Sequence, residues 1–168
     1  IPAYNAQDYI DRAVTSVRGF DGVEVLIVDD GSHDNTAQIA DEWVARDPEH
    51  IRVIHQENAG HGGAVNAGIA SARGRYLKIL DADDWLDRLA LKRALERLAL
   101  REEQGEPLDL LVANYVYEKQ GKSHKAVIRY GNVIPRDRVV SWDEVKRCRY
   151  DQYLMMHALI LCTELVRE

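Results

Sequence analysis

The densest run of chemistry-bearing side chains is Asp81-Ala82-Asp83-Asp84. On an extended segment Asp81 and Asp83 project to the same side, with Ala82 turned away. Two carboxylates on one side of a cleft repel each other unless a cation lies between or beside them. Mg²⁺ or Mn²⁺ suits oxygen ligands of this kind and commonly shares its coordination sphere with substrate phosphates. The competing reading is a solvated acidic turn in which Asp84 or Asp87 caps the next helix. A place at the end of a buried strand favours the metal. Asp29-Asp30 precedes Gly31-Ser32; one of these carboxylates can brace the turn. The other, with Asp30 the preferred candidate, can accept a hydrogen bond from a base N–H. Asn58-Ala59-Gly60-His61-Gly62-Gly63 leads into a helix, whose free N–H groups would form an anion site. For Gly62 and Gly63 a plain tight turn before a close-packed helix is an equal alternative. His61 either assists a phosphate or lies in solvent. His157, inside an apolar run, reads as a core histidine rather than a catalyst.

The elements that must position these clusters alternate along the chain. Ile10, Val14 and Val17 recur at helical spacing and predict a helix over roughly Gln7 to Arg18. Val23 to Val28 is a β-branched run that predicts a buried strand. Asp34 or Asn35 can cap the next helix, which carries Ile39, Trp43 and Val44 on one face and ends before Pro48. A strand follows over Ile51 to His55, then a small-residue helix from about Ala64 to Ala72, then a strand from Arg75 to Leu80. Leu91, Leu95 and Leu98 define a long amphipathic helix that stops near Gly105 and Pro107. This alternation predicts an α/β fold with a mostly parallel sheet and helices on both faces. After Pro107, Leu108 to Tyr117 and Ala126 to Tyr130 flank a hairpin turn at Lys119 to Ser123. A short helix is expected over Trp142 to Arg149 and a last strand over Tyr153 to Leu161. Tyr4-Asn5, Asp29-Asp30, Asn58 to Gly63 and Asp81 to Asp84 all fall at carboxyl ends of strands, where open α/β sheets bind ligands.

The 168 residues amount to one domain, with 1–105 as a binding half and 106–168 as the start of a second, incomplete half. Acidic residues outnumber basic ones, 28 to 22, which argues against general nucleic-acid binding. A phosphorylated ligand stays compatible, because a bound cation supplies positive charge locally. Cys148 and Cys162 have no metal-like spacing, so a reducing compartment is expected. The strongly apolar stretch Tyr153 to Cys162 is about half the length of a spanning helix. No signal peptide opens the chain. These features predict a soluble, cytoplasmic protein. The opening at Ile1-Pro2-Ala3-Tyr4-Asn5 and the stop at Glu168 read as those of a fragment truncated at both ends. Lys119, Lys122, Lys125 and Arg129 read as a solvated edge. Arg88, Arg93 and Arg97 read as a solvated helix face, with membrane-surface contact as a minor alternative.

Taken as a set, Ile1-Pro2-Ala3-Tyr4-Asn5, Val25 to Ser32, Asn58-Ala59-Gly60 with Asn66-Ala67-Gly68, and Leu80 to Trp85 resemble family 2 glycosyltransferases of the GT-A fold. The resemblance covers roughly Ile1 to Leu100. It implies an inverting transfer of a sugar from a nucleoside-diphosphate donor, usually a uridine one, to a glycan or lipid-linked acceptor. It further implies that Pro2 and Tyr4, with Ala3 and Asn5, line the base and ribose pocket and that Asp30 contacts the base. Asn58, Gly60, Asn66 and Ala82 complete the donor site, Asp81 faces the ribose or the metal, and Asp83 holds Mn²⁺ or Mg²⁺ against the diphosphate. Association of the full-length protein with the inner face of the cell membrane is a further family-level expectation. Val65 stands where many members carry an arginine, so one phosphate contact is missing. The family's general base sits in a downstream acidic motif, which Asp137, Asp143, Glu144 and Asp151 do not reproduce; it is expected beyond Glu168.

Two other readings compete. A signalling receiver domain would use Asp81 as phosphoacceptor, but it would carry a lysine followed by proline, and none of the four prolines follows a lysine. A phosphatase with an aspartate nucleophile would use Asp81 and Asp83 nearer the chain start. A donor-binding module without catalysis shares every motif above.

Overall fold

The computed structural model describes residues 1–118, 125–136, 138–148 and 153–168. Three strands make a parallel sheet: β1 (Pro2–Ala3), β2 (Val25–Asp29) and β3 (Ile51–His55), with β2 in the middle. Pro2 lies opposite Val28, and the β2–β3 register runs from Val25–Ile51 to Asp29–His55. Val25, Ile27, Val28 and Ile51 are buried, as expected for parallel strands covered on both faces.

Helix α1 (Ile10–Val17) buries Ile10, Ala13 and Val14. It begins later than the periodicity predicts. The Gln7 N–H is taken by Asp34 Oδ2 at 3.2 Å, and the first helical bond runs from Ile10 N to Ala6 O. Helix α2 (Thr36–Arg46) is started by Asp34, whose Oδ1 accepts from the Thr36 N–H at 2.9 Å and its hydroxyl at 2.5 Å. The buried Trp43 ties α2 to α1 by donating to Asp11 Oδ1 at 2.7 Å.

Helix α3 (Gly60–Ser71) starts four residues before the predicted Ala64. The glycine-rich segment is therefore its first turn rather than a loop before it. Gly63 packs where a Cβ would lie 2.5 Å from the Ala59 Cβ, and Gly68 faces Val28. Small residues bring this helix against β2.

The predicted strand over 75–80 shrinks to β4 (Tyr76–Leu77), and α4 (Arg88–Glu103) follows it. The predicted continuation of the parallel sheet ends here. β4 pairs antiparallel with the last strand, β8 (Leu159–Cys162), which pairs on its other side with β5 (Leu110–Val112). A second, antiparallel sheet of order β4–β8–β5 thus stands beside the parallel one. β6 (Tyr115–Tyr117) and β7 (Ala126–Ile128) form the expected antiparallel hairpin. Its predicted turn, including Lys119 and Lys122, lies outside the described residues; Lys125 pairs with Glu118 at 2.9 Å. Among the described residues, the helix expected over 142–149 is a single 3₁₀ turn, Trp142–Glu144, and a second 3₁₀ turn, Met156–Ala158, shortens the predicted last strand. No described helix is long and apolar enough to cross a membrane. A cavity of about 360 Å³ is lined mainly by apolar side chains of β2, α3 and α4 and by none of the carboxylates of the acidic run.

Candidate functional site

Hydrogen bonds join the four strand-end clusters in series. Asn5, with φ of 49°, donates its N–H to Ser32 Oγ at 3.0 Å and accepts from the His33 N–H at 2.9 Å. Tyr4 is half exposed, with its ring 6.4 Å from His33. Ala3 is buried and its carbonyl accepts from the Asp30 N–H at 2.9 Å. Asp30 is buried as well. Its Oδ1 accepts from the Ala59 N–H at 2.9 Å and from Gln56 Nε2 at 2.6 Å. Those bonds, that from Ala59 first, outweigh burial and hold its carboxyl below the usual range. Gly31 makes the crossing possible: its φ is +72°, and a Cβ there would stand 2.9 Å from the Asn58 nitrogen. From α3, His61 Nε2 then reaches Asp81 Oδ1 at 2.9 Å. Asn58 and Asn66 are exposed on the approach to α3 and on α3 itself.

The acidic run is not extended, as the sequence predicts, but folded. The Asp84 N–H donates to the Asp81 carbonyl at 3.0 Å and closes a turn. Ala82 is the anchor of that turn, buried within the main core. Closing it changes which carboxylates meet. Asp83 is exposed, with its carbonyl accepting from Arg12 at 2.9 Å while the Arg12 guanidinium lies 3.8 Å over the Trp85 ring. Asp81 and Asp84 instead come together with His157, each offering one ligand atom within 4.8 Å of the others. His157 Nδ1 lies 3.9 Å from Asp81 Oδ2 and 3.8 Å from Asp84 Oδ2. Helix capping falls to Asp87, whose Oδ1 accepts from the Ala90 N–H at 2.7 Å.

Desolvation pushes the Asp84 carboxyl above its ordinary value. The charge of Asp83 and, after it, that of Asp81 add to the rise, against His157 and Lys78. Such a group gains from a nearby cation. Lys78 supplies one at a distance, while its amine donates to the carbonyls of Met156 at 3.2 Å and His157 at 2.7 Å. Burial draws that amine down to about 8, with Asp84 and Asp81 opposing.

His157 and Lys78 are the residues that sequence reasoning missed. Its apolar sequence setting predicts a core histidine, yet His157 faces the acidic turn and stacks edge-on against Tyr115, with centroids 5.5 Å apart. The available signal was polar: a lysine in the strand before the acidic run and a histidine in the strand-like run near the chain end. Among the downstream acidic residues, Glu144 is occupied by Ser141 in a capping box and by Arg138 at 2.8 Å. Asp143 lies exposed in the same turn. Asp137 and Asp151 lie outside the described residues.

Residues 1–153 match the family model described as Glycosyl transferase family 2. The chain belongs to that family. The protein EpsH of Bacillus subtilis is 35% identical over 127 residues, which are 73% of this chain and 35% of EpsH. The crystal structure of Staphylococcus aureus TarS 1–349 in complex with UDP superposes with a TM-score of 0.71 at 25% identity, over 99% of this chain and 46% of that one. A mannosyltransferase from Pyrobaculum calidifontis, PcManGT, in complex with GDP-Man and Mn²⁺, superposes with a TM-score of 0.55 at 26% identity, over 67% of this chain and 33% of that one. The fold is thus the GT-A fold of these glycosyltransferases. The chain spans between a third and half of each of these relatives. Membership of a glycosyltransferase family sets aside the receiver and phosphatase readings.

Proposed function

We propose that this chain is the donor-binding part of an enzyme that transfers a sugar, with inversion, from a nucleoside-diphosphate sugar in a metal-dependent reaction. The observation that carries the proposal is the meeting of Asp81, Asp84 and His157 at the edge where Tyr4, Asp30 and the first turn of α3 also arrive. Two carboxylate oxygens and an imidazole nitrogen within 4.8 Å of one another form a donor set that fits Mn²⁺, and Mg²⁺ with more water in its sphere. TarS with UDP and PcManGT with GDP-Man and Mn²⁺ support a nucleotide donor and a metal by similarity.

In this reading Asp81, Asp84 and His157 hold the cation, and Asp83 adds to the field that draws it. A bound cation there would act as a Lewis acid that stabilises the charge developing on the departing nucleoside diphosphate. Tyr4, half exposed beside Pro2, Ala3 and Asn5, offers a face to the base and ribose. Asp30 braces the loop that leads to Asn58 and Gly60 and is the candidate acceptor for a base N–H. The glycines in the first turn of α3 leave its N–H groups open to a phosphate oxygen, with Asn66 on the same helix. His61 orients Asp81 through their hydrogen bond. In this reading the acceptor is a glycan or a lipid-linked sugar and the setting is cytoplasmic, at the inner face of the membrane.

Calorimetry with UDP and UDP-sugars tests this directly. Saturable binding that requires Mn²⁺ is expected, with Asp84→Asn costing more metal affinity than Asp83→Asn. Equal UDP affinity with and without Mn²⁺, or a preference for acetyl phosphate, would refute the assignment.

A further inference from the structure

Lys78 leaves the end of β4 and donates to two successive carbonyls, those of Met156 and His157, at 3.2 and 2.7 Å. Those carbonyls, and not the carboxylates of the acidic turn, take its hydrogen bonds. The segment it holds is the 3₁₀ turn Met156–Ala158, which has no regular ladder of its own. At its last residue the chain is fixed: Ala158 is buried, its carbonyl accepts from the Ala113 N–H at 2.7 Å, and β8 begins at Leu159. Just before it, residues 153–155 belong to no regular element. His157 thus sits at the last unladdered position before a strand. Its ring is set between Tyr115 at 5.5 Å and the carboxylates of Asp81 and Asp84 at 3.9 and 3.8 Å.

We infer that Lys78 is a positioning residue: by clamping the carbonyls of residues 156 and 157 it fixes the backbone that hangs the His157 imidazole over the acidic turn. The strand before the turn thereby recruits the ligand that completes it. An apolar side chain at 78 would leave both carbonyls without this donor and the 3₁₀ turn without its tie to β4. The consequence for metal rests on the reading given under Proposed function; the clamp itself does not.

The test uses the whole 168-residue chain as Lys78→Met, Lys78→Gln, Lys78→Arg, His157→Ala and the Lys78→Met/His157→Ala double variant. NMR on histidine- and tyrosine-labelled protein should show a ring contact between His157 and Tyr115 in the parent and in Lys78→Arg. The contact should be lost in Lys78→Met and Lys78→Gln, while the amide resonances of β1 to β3 stay in place. Because removing the lysine charge also alters cation affinity, Mn²⁺ titration is read as a double-mutant cycle. Lys78→Met is expected to weaken Mn²⁺ by about tenfold in the parent, in line with the loss of an outer-sphere partner, and not to weaken it in the His157→Ala background. Retention of the ring contact without the lysine, or the same change in both backgrounds, would overturn the inference. Absence of any Mn²⁺ binding by the parent would refute the proposed metal site, and the NMR contact would still decide the clamp.

Discussion

Asp29 and Asp30 close β2, Asp81 and Asp84 close the segment after β4, and the two pairs are surrounded in opposite ways. Asp30 is buried under N–H donors from Ala59 and Gln56, and Asp29 accepts from the Ser32 N–H at 3.1 Å and faces His55 Nδ1 at 3.0 Å. Each carboxylate in the first pair has its partners inside the fold, and the carboxyl of Asp30 is correspondingly more acidic than usual. In the second pair Asp81 meets His61 and both carboxylates face His157, while burial, with the charges of Asp83 and Asp81 added to it, leaves Asp84 less acidic than usual. A carboxylate satisfied by N–H donors holds structure together; one crowded by its own kind is ready for a cation. Sequence spacing alone does not separate these two states, because both pairs follow an apolar strand.

The comparison breaks most readily at Asp81. Asp81→Asn should weaken Mn²⁺-dependent UDP binding by about a hundredfold or more, since loss of outer-sphere partners alone costs about 10–100-fold. Its melting temperature should stay within a few degrees of the parent's. A large fall in melting temperature would mean that the second pair is structural too. Asp30→Ala should do the reverse, costing about 2–3 kcal/mol in urea unfolding, because the Ala59 N–H and Gln56 lose a charged acceptor. Affinity for Mn²⁺ alone should be unchanged.

Acid sharpens the contrast. Metal ligands must be deprotonated, so Mn²⁺ affinity should fall as pH drops through the raised value of Asp84, by up to about tenfold per pH unit. The contribution of Asp30 has the opposite placement. Its folded-state value lies below the unfolded one, so its stabilisation is complete above the ordinary aspartate value of about 3.9. It is lost only as pH falls from there through the lower folded value. Metal titrations and urea midpoints across the acid range should therefore separate, with binding failing first. The smallest effect is expected at Arg12, which stacks on Trp85 and donates to the Asp83 carbonyl. Arg12→Ala should cost about 0.5–1 kcal/mol and a few-fold in Mn²⁺ affinity through a looser turn.

The first half of the fold was legible because burial is periodic there. Ile10 and Val14 on α1, and Val25 to Val28 on β2, carry their environment in their spacing. The convergence of three of the clusters was legible because the ends of β1, β2 and β3 share one edge of the parallel sheet; the acidic run follows β4 of the second sheet and joins them through His61. What spacing could not show was the shape of the acidic run. A turn closed by one backbone hydrogen bond, with Ala82 as the plug, exchanges Asp83 for Asp84 beside Asp81. His157 was hidden for a different reason. In an apolar run a histidine looks like core, and only the antiparallel pairing of β8 with β4 and β5 reveals that it emerges at the acidic turn. The start of α3 was misplaced because glycine has poor helix propensity, while packing against β2 rewards its lack of a side chain.

The pairing of Tyr76 with Cys162 carries one more implication. The parallel layer closes through neighbours in sequence, whereas His157 reaches Asp81 only after a distant strand has threaded between β4 and β5. Contacts of such long separation form slowly and late, and during synthesis the amino-terminal part emerges first. A nascent chain would thus complete the edge of the parallel layer well before His157 could meet Asp81 and Asp84, so the cluster proposed above to hold a cation is the last part of the site to assemble.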